Sequence, residues 1–162
     1  MKKNETRAAP GAGSIAFLLA QVGGHAATKF AERLAPLGLT LPEAGILRAI
    51  GATSRLSQKA LAEALSIFPS RLVQLVDGLE DRGLVERHDS PHDRRVYELR
   101  LSENGRQALE ALGRAGRAHE EAFGAPLSAS ERVQLRALLT RIADHEGLTP
   151  GVHPGFRSMG PK

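Results

Sequence analysis

The sequence predicts a mainly α-helical protein with one small β-hairpin. Two short amphipathic segments come first, separated by residues 66–69. The dipeptide Arg82-Gly83 ends the second segment, and a hairpin follows whose loop carries Arg94 and Arg95. Helix, turn, helix and basic hairpin in this order are typical of a winged helix-turn-helix. That module places its second helix in the major groove of DNA, and its wing reaches the backbone or the minor groove.

The second segment has the pattern of a recognition helix. Its apolar residues recur at i, i+3, i+4 and i+7 and predict one buried stripe, made of Leu72, Leu75, Val76 and Leu79. Pro69 suits the first turn and Gly83 supplies the stop. The first two turns of the opposite face lack acidic residues and present Ser70, Arg71 and Gln74. Because Arg71 can donate to guanine and Gln74 can pair with adenine, we expect this end to read bases. An ordinary amphipathic helix with a solvated polar face is the alternative.

The hairpin favours the DNA-binding interpretation. Residues 84–88 and 96–101 alternate in polarity and predict two strands, joined by a polar, proline-containing loop at 89–95. In the second strand, Glu98 and Arg100 alternate with Leu99 and Leu101. A two-stranded ribbon is marginal alone, so it must lean on the preceding helices. At the loop tip, Asp93 can hold one of the two arginines while the other reaches DNA. A solvated charged turn is the alternative.

Capping signals place the helices before the recognition helix. Thr40 and Glu43 form a capping box, and the helix that they open ends at Gly51. Ser57 caps the next helix, residues 58–65, which is the first helix of the DNA-binding pair. The residues predicted to contact DNA are Ser57, Gln58, Pro69, Ser70, Arg71, Gln74, Arg94 and Arg95.

Several stretches together resemble the MarR family of bacterial transcription regulators. They are residues 61–65 (LAEAL), 72–87 (LVQLVDGLEDRGLVER), 93–95 (DRR) and 101–105 (LSENG). Each stretch is short, but the combination is specific, and the resemblance covers roughly residues 30–112 by motif and the flanking helices by layout. The resemblance implies an obligate-type homodimer on a palindromic operator and, in many members, control by a small ligand. One position departs from the family. Phe68 stands where members usually carry Ser or another N-cap residue, so the cap must come from elsewhere.

Three more helices are predicted outside the winged module, at residues 14–37, 102–123 and 128–145. Ser128 and Glu131 form a second capping box at the start of the last of them. Because no strand is available to cover these helices, we expect them to pack against the same elements of a second chain. The predicted division is a flexible arm (1–13), a helical dimerisation region (14–37 and 102–146), a winged helix-turn-helix domain (38–101) and a flexible tail (147–162).

Other classes of protein and site are disfavoured. Residues 1–26 mimic a secretory signal, but the apolar pattern continues through Phe30 and Leu34, which favours one helix. No apolar run is long enough to span a membrane, so we expect a cytoplasmic protein without a membrane partner.

The absence of cysteine excludes disulfides, thiolate zinc sites and cysteine redox sensing. No phosphate loop, metalloprotease motif or nucleophile elbow is present, so we expect no enzyme and no cofactor. Four metal-type ligands lie close together on the predicted wing, but without a further ligand cluster we assign no metal to His88, Asp89, His92 and Asp93.

We therefore expect a homodimeric DNA-binding transcription regulator. The net charge of +4 is compatible with nucleic acid, although many soluble proteins carry as much. We further expect a repressor that a small aromatic or phenolic anion releases from its operator. Its pocket would lie between the first helix and the winged module, with His25, Thr28 and Lys29 as polar lining; the alternative is that these are ordinary helix-face residues. The alternative function is a DNA-binding regulator or architectural protein without a small-molecule effector.

Overall fold

The computed structural model of the chain describes residues 13–53, 56–90 and 97–153. Most of the predicted arm, the end of the predicted tail and the tip of the hairpin loop lie outside the described residues. In chain order the elements are α1 (Ile15–Leu34), a 3₁₀ helix (Ala35–Leu37), α2 (Leu41–Ala52), β1 (Leu56–Ser57), α3 (Gln58–Leu65), α4 (Pro69–Asp81), β2 (Val85–Asp89), β3 (Tyr97–Leu101), α5 (Glu103–Gly124) and α6 (Ala129–His145). The predicted class, mainly α-helical with a small β wing, is confirmed.

The first helix is shorter than the sequence pattern predicts. Ser14 caps it as expected, because its Oγ accepts a hydrogen bond from the backbone N–H of Phe17 at 3.2 Å. The α-helix then ends at Leu34, and the predicted last turn is a 3₁₀ helix. Pro36 explains the change, since it has no N–H to continue the α-helical ladder. Gly38 ends the turn with φ of 64°, the left-handed conformation that glycine adopts without strain.

The capping box at the start of α2 is confirmed. The backbone N–H of Thr40 donates to the carboxylate of Glu43 at 2.8 Å, and the N–H of Glu43 donates to Thr40 Oγ1 at 3.4 Å. The helix runs one residue past Gly51, to Ala52. A Cβ atom on Gly51 would lie 2.4 Å from Cδ2 of Leu109, so α2 and α5 approach closely at this glycine.

The hydrophobic core lies almost entirely in the winged module. Its buried side chains come mostly from α2, α3, α4 and the sheet, whereas α1 contributes only Leu34, α5 contributes only Leu112 and α6 contributes none. The side chains buried most fully are Leu34, Ile46, Leu47, Leu61, Leu72, Val76, Leu79, Val85 and Leu99. Phe30 of α1 and Ala108 and Leu109 of α5 also pack against this core as partly buried side chains, so α1 and α5 contact it mainly through residues that stay partly exposed.

The sheet has three antiparallel strands in the order β1-β3-β2, whereas the sequence predicts two. The extra strand is β1, whose residues Leu56 and Ser57 pair with Leu99 and Glu98. So short a strand has no alternation to detect, and its pairing partner lies about forty positions along the chain. Glu98 departs from the alternation expected in β3, because it is buried at 6% exposure beside this added strand.

The start of α5 is seated on the turn that follows α4. The hydroxyl of Ser102 donates to the carbonyl of Gly83 at 2.6 Å, and the same oxygen accepts from the N–H of Gly105 at 2.9 Å. Gly105 is buried, and a Cβ atom there would lie 1.9 Å from the carbonyl oxygen of Leu84. Only glycine fits this contact, which joins the recognition helix, the wing and α5.

Two flanking helices leave apolar faces uncovered. Every described residue from 13 to 25 is exposed, and no residue of α6 is buried. The exposed large apolar side chains of these helices are Ile15, Phe17, Leu18, Leu19 and Val22 on α1, and Val133, Leu135, Leu138, Leu139 and Ile142 on α6. Such a surface normally binds another protein surface. None of the described helices is long and apolar enough to cross a membrane.

Candidate nucleic-acid interface

The recognition helix α4 begins without a side-chain cap. Phe68 is its N-cap residue and makes no capping hydrogen bond, and Pro69 occupies the first turn. The turn before it closes at Ser66, which has φ of 53°, and the N–H of Ile67 donates to the carbonyl of Ala62 at 3.0 Å. The N–H groups of the first turn of α4 are thus free of side-chain caps. Such groups, with the positive end of the helix dipole, form a favourable site for a phosphate.

The buried stripe predicted for α4 is present. Leu72, Val76 and Leu79 are fully buried, and Leu75 is half-buried against the same core. The helix is therefore held by one face, and its opposite face points to solvent.

The residues predicted to read bases lie on that exposed face. Ser70, Arg71 and Gln74 are all exposed. The guanidinium of Arg71 donates to the Oε1 atom of Gln74 at 3.0 Å, so the two side chains are held together one turn apart. Both groups keep unused donors, since guanidinium has five N–H bonds and the Gln74 amide nitrogen has two.

Ser57 and Gln58 lie together at the start of α3. The capping prediction is confirmed, because Ser57 Oγ accepts from the N–H of Ala60 at 3.1 Å. The hydroxyl proton of Ser57 is left to donate to another acceptor. The Oε1 atom of Gln58 accepts from Nε of Arg87 at 3.5 Å, which turns this side chain toward α4 and the wing.

Arg87 on β2 links three elements of the winged module. Besides Gln58, its guanidinium pairs with Asp77 at 2.5 Å and with Glu80. Its side chain is 19% exposed, against 52% for Asp77 and 39% for Glu80. Sequence reasoning missed this network, because its members come from α3, α4 and β2 and no local spacing brings them together.

A second arginine, Arg82, holds the C-terminal end of α4 against the junction with α1. The guanidinium of Arg82 donates to the carbonyl of Gly38 at 2.6 Å, to Oε1 of Glu43 at 2.6 Å and to the carbonyl of Gly78 at 3.0 Å. Gly38 lies at the junction between α1 and the winged module. Arg82 therefore connects the recognition helix to that junction. In the sequence, Arg82 stands out only as part of the signal that ends α4, and this contact is not predicted.

The predicted wing-tip contacts Arg94 and Arg95, together with Asp93, lie outside the described residues. At the base of the wing, Nε2 of His88 is 2.9 Å from the carboxylate of Glu86. Of the four metal-type residues on the wing, His92 is also outside the described part. Within the part that the structure describes, no three His, Asp or Glu side chains are placed to hold a metal ion.

Two of the three residues predicted to line a ligand pocket are bonded within their own helix. Lys29 pairs with Glu32 at 2.8 Å, and the hydroxyl of Thr28 donates to the carbonyl of Gly24 at 3.1 Å. His25 is exposed, and its ring lies 6.0 Å from that of Phe123 on α5.

His119 on α5 lies near His25, and its ring faces α1. It is 5.1 Å from the ring of Phe30 and 4.9 Å from that of Phe123. Its Nδ1 atom is buried and has no hydrogen-bond partner among the described residues. Burial lowers the pKa of His119, the charge of Arg33 lowers it further, and Glu120 opposes both.

Comparison with known proteins identifies the family. A model of the MarR family matches residues 37–96. A protein of Thauera aromatica assigned to transcriptional regulation of the hcr operon is 36% identical over 140 residues, which is 86% of this chain and 84% of that protein. Among solved structures, the transcriptional repressor CouR bound to a 23-mer DNA duplex has a TM-score of 0.73 at 29% identity and covers 80% of this chain and 92% of its own. A mutant of MarR from E. coli complexed with operator DNA has a TM-score of 0.70 at 25% identity over 79% of this chain and 92% of its own. The likeness to these proteins extends over most of the chain and includes the winged helix-turn-helix. The chain therefore belongs to the MarR family of transcriptional regulators, which bind DNA and are not enzymes.

Proposed function

We propose that this protein is a homodimeric cytoplasmic repressor that binds a pseudo-palindromic operator through the start of α4. The observation that carries the proposal is the exposed, acid-free surface of the first two turns, Ser70, Arg71 and Gln74. The opposite face of the helix is anchored by fully buried leucine and valine side chains, so this surface is held rigidly. A rigid helix end with amide and guanidinium donors suits readout of base edges in the major groove.

The other predicted contacts position the helix on the phosphate backbone. Ser57 and Gln58 at the start of α3, and the uncapped N–H groups after Pro69, offer donors for phosphate oxygens. Arg94 and Arg95, beyond the described residues, are proposed to contact the backbone or minor groove beside this site. These contacts carry no sequence information and make the binding dependent on salt.

The exposed faces of α1 and α6 support the homodimer. On α6, Leu135, Leu138, Leu139 and Ile142 fall within about 100° of one another on the helix circumference and form one stripe. A helix with an uncovered stripe of this kind needs a partner for stability, because most helical stability comes from packing of the apolar face. A second copy offers the same stripe. A two-fold dimer in turn calls for two half-sites, with centres about one helical turn of DNA apart.

Release by a small aromatic or phenolic anion completes the proposal. The winged module joins the flanking helices through residues 37–39 and 101–102, and Arg82 bridges to Gly38 at the first of these. A ligand that binds the non-docking arrangement more tightly lowers operator affinity; equal affinity for both arrangements changes nothing. His25, Thr28 and Lys29 remain the proposed polar lining, beside the aromatic rings of Phe30 and Phe123. The runner-up is a DNA-binding regulator without an effector.

The test begins with selection of a duplex by the purified protein, followed by footprinting and fluorescence anisotropy. We expect protection of a pseudo-palindrome by a species that light scattering measures as a dimer. Salicylate-like and hydroxycinnamate-like compounds are then titrated into the complex. A tenfold loss of operator affinity corresponds to about 1.4 kcal/mol of coupling, within the usual range. If no such compound changes operator affinity at millimolar concentration, the regulator without an effector is the better description. A monomer at micromolar concentration contradicts the homodimer.

A further inference from the structure

Arg87 lies on β2, beside the last turns of α4, and its guanidinium points at acidic side chains of the protein. Its Nη2 atom lies 2.5 Å from Oδ1 of Asp77, its Nη1 atom contacts Oε2 of Glu80, and its Nε atom lies 3.5 Å from Oε1 of Gln58. All three nitrogens of the guanidinium are therefore engaged by acceptors from α3 and α4. Two of those acceptors are carboxylates, which make the strongest hydrogen bonds with guanidinium.

The two carboxylates lie where negative charge opposes DNA binding. Asp77 follows Gln74 by three residues and shares its exposed face of α4, and its side chain is 52% exposed. Glu80 is 39% exposed and lies one turn further along the helix. Phosphate groups on both sides of a major groove are also negative, so bare carboxylates at these positions repel the duplex that Arg71 and Gln74 approach.

The Arg87 side chain, at 19% exposure, is less exposed than either acid. It comes from β2, so its guanidinium joins the wing to the recognition helix and to the start of α3. A guanidinium held by two carboxylates and an amide has a fixed orientation, since its planar fork matches carboxylate oxygens. Arg87 therefore lies against both acids and sets the direction in which they point.

We propose that Arg87 is a positioning residue for DNA binding, which acts by offsetting one of the two negative charges of Asp77 and Glu80 and holding both acids against the wing, and not by contacting DNA. The proposal rests on the proposed assignment of the exposed face of α4 to the major groove. It predicts that Arg87 matters only while the two acids are present. A direct phosphate contact predicts that Arg87 matters equally with and without them.

The experiment is a double-mutant cycle on operator affinity, measured by fluorescence anisotropy. Arg87→Gln, the pair Asp77→Asn with Glu80→Gln, and the triple variant are compared with wild type. We expect Arg87→Gln to weaken binding about tenfold in the wild-type background and less than about threefold in the background without the acids. Lys59→Gln is the matched control for loss of one positive charge, because Lys59 lies on α3 with its side chain 87% exposed. Its effect should be the same in both backgrounds.

Equal losses for Arg87→Gln in the two backgrounds, or no loss in either, overturn the proposal. If Arg87→Gln alone fails to fold, comparison of the triple variant with the pair Asp77→Asn and Glu80→Gln still decides. Without the acids, loss of Arg87 should leave the slope of log affinity against log salt unchanged, and a slope shallower by about 0.9, as for one lost phosphate contact, overturns the proposal. If instead the exposed face of α4 does not bind the major groove, the result is different: Arg71→Ala then leaves the ratio of operator to scrambled-duplex affinity unchanged.

Discussion

Arg71 and Gln74, one turn apart on the exposed face of α4, are joined by a hydrogen bond of 3.0 Å from the guanidinium to the amide oxygen. The bond fixes which way the Gln74 amide faces, with its NH₂ group turned from Arg71. Adenine is recognised by glutamine through both the oxygen and the NH₂ group, whereas guanine is recognised by two guanidinium donors. In the proposed function the two side chains therefore act as a unit, in which Arg71 sets the orientation of Gln74.

Arg71→Ala and Gln74→Ala should each relax sequence preference by about 1–3 kcal/mol at one base step. Because the side chains are bonded to each other, the double variant should lose less than the sum of the two single losses. The measurement is the ratio of operator to scrambled-duplex affinity at fixed salt. Lys59→Gln serves as the control, since loss of an exposed positive charge should act on both duplexes alike. Strict additivity would contradict the coupling between Arg71 and Gln74.

Gly105→Ala should destabilise the protein by about 1–3 kcal/mol, because the new Cβ atom overlaps the backbone oxygen of Leu84 and must displace it. Gly116→Ala is the matched control in the same helix. A Cβ atom there meets nothing within 4 Å, and alanine favours a helix over glycine by about 1 kcal/mol. Thermal unfolding should thus show opposite shifts in Tm for the two variants. A raised Tm for Gly105→Ala would show that the contact at Leu84 relaxes freely.

The sequence predicts the features whose causes are local. Thr40 and Glu43 form their capping box as expected, and Ser57 caps α3, because a cap depends on residues within one turn. The stripe on α4 follows from helical spacing in the same way. The 3₁₀ turn after Leu34 is also local, and Pro36 signals it, but the longer apolar pattern hides that signal.

Features built from segments that are distant in the sequence are not predictable from local patterns. The strand β1 exists only through its pairing with β3, and its two residues carry no period. Arg82 and Arg87 each join three segments through a long side chain, and no local pattern in the sequence indicates these contacts. Folding, not spacing, brings these guanidinium groups to their carboxylates. For that reason the sequence predicts the recognition helix and its buried stripe but misses the arginine contacts at its C-terminal end.

Arg82→Ala should reduce stability by about 1–2 kcal/mol, because it removes three hydrogen bonds from charged nitrogen to the junction and to α4. Arg82→Lys keeps the charge but lacks the planar fork, so it should recover only part of the loss. Lys59→Ala is the control for an exposed ion pair, with its nitrogen 4.0 Å from Glu63, and should change stability by less than about 0.5 kcal/mol. Chemical denaturation measures all three. Full recovery in Arg82→Lys would mean that charge alone matters.

His119 should make the protein less stable in mild acid. Its pKa is lowered in the folded state, chiefly by burial, from the ordinary value of 6.5. As pH falls below that value, the unfolded chain takes up a proton that the folded chain resists, so stability present above it is progressively lost. His119→Phe, which preserves a ring beside Phe30 and Phe123, should lose less stability than wild type between pH 7.5 and pH 5. Parallel stability profiles for the two proteins would contradict this source of acid sensitivity.

Replacing Leu138 and Leu139 with Asp should separate the homodimer and weaken operator binding together. Both side chains lie on the apolar stripe of α6, at 46% and 39% exposure in the single chain. Each buried leucine that is lost removes about 2–5 kcal/mol of packing, and each carboxylate adds a desolvation cost at the interface.

The matched control places the same two charges at Ala137 and Thr140. These residues are exposed and fall on the opposite side of α6 at about 100° per residue. Light scattering and anisotropy should show a dimer with wild-type operator affinity for the control, and a weakened dimer with reduced affinity for the leucine variant. Because one winged module can contact only one half-site, the leucine variant should also lose its preference for the full pseudo-palindrome over a single half-site. Equal behaviour of the two variants would place the dimer interface elsewhere on the chain.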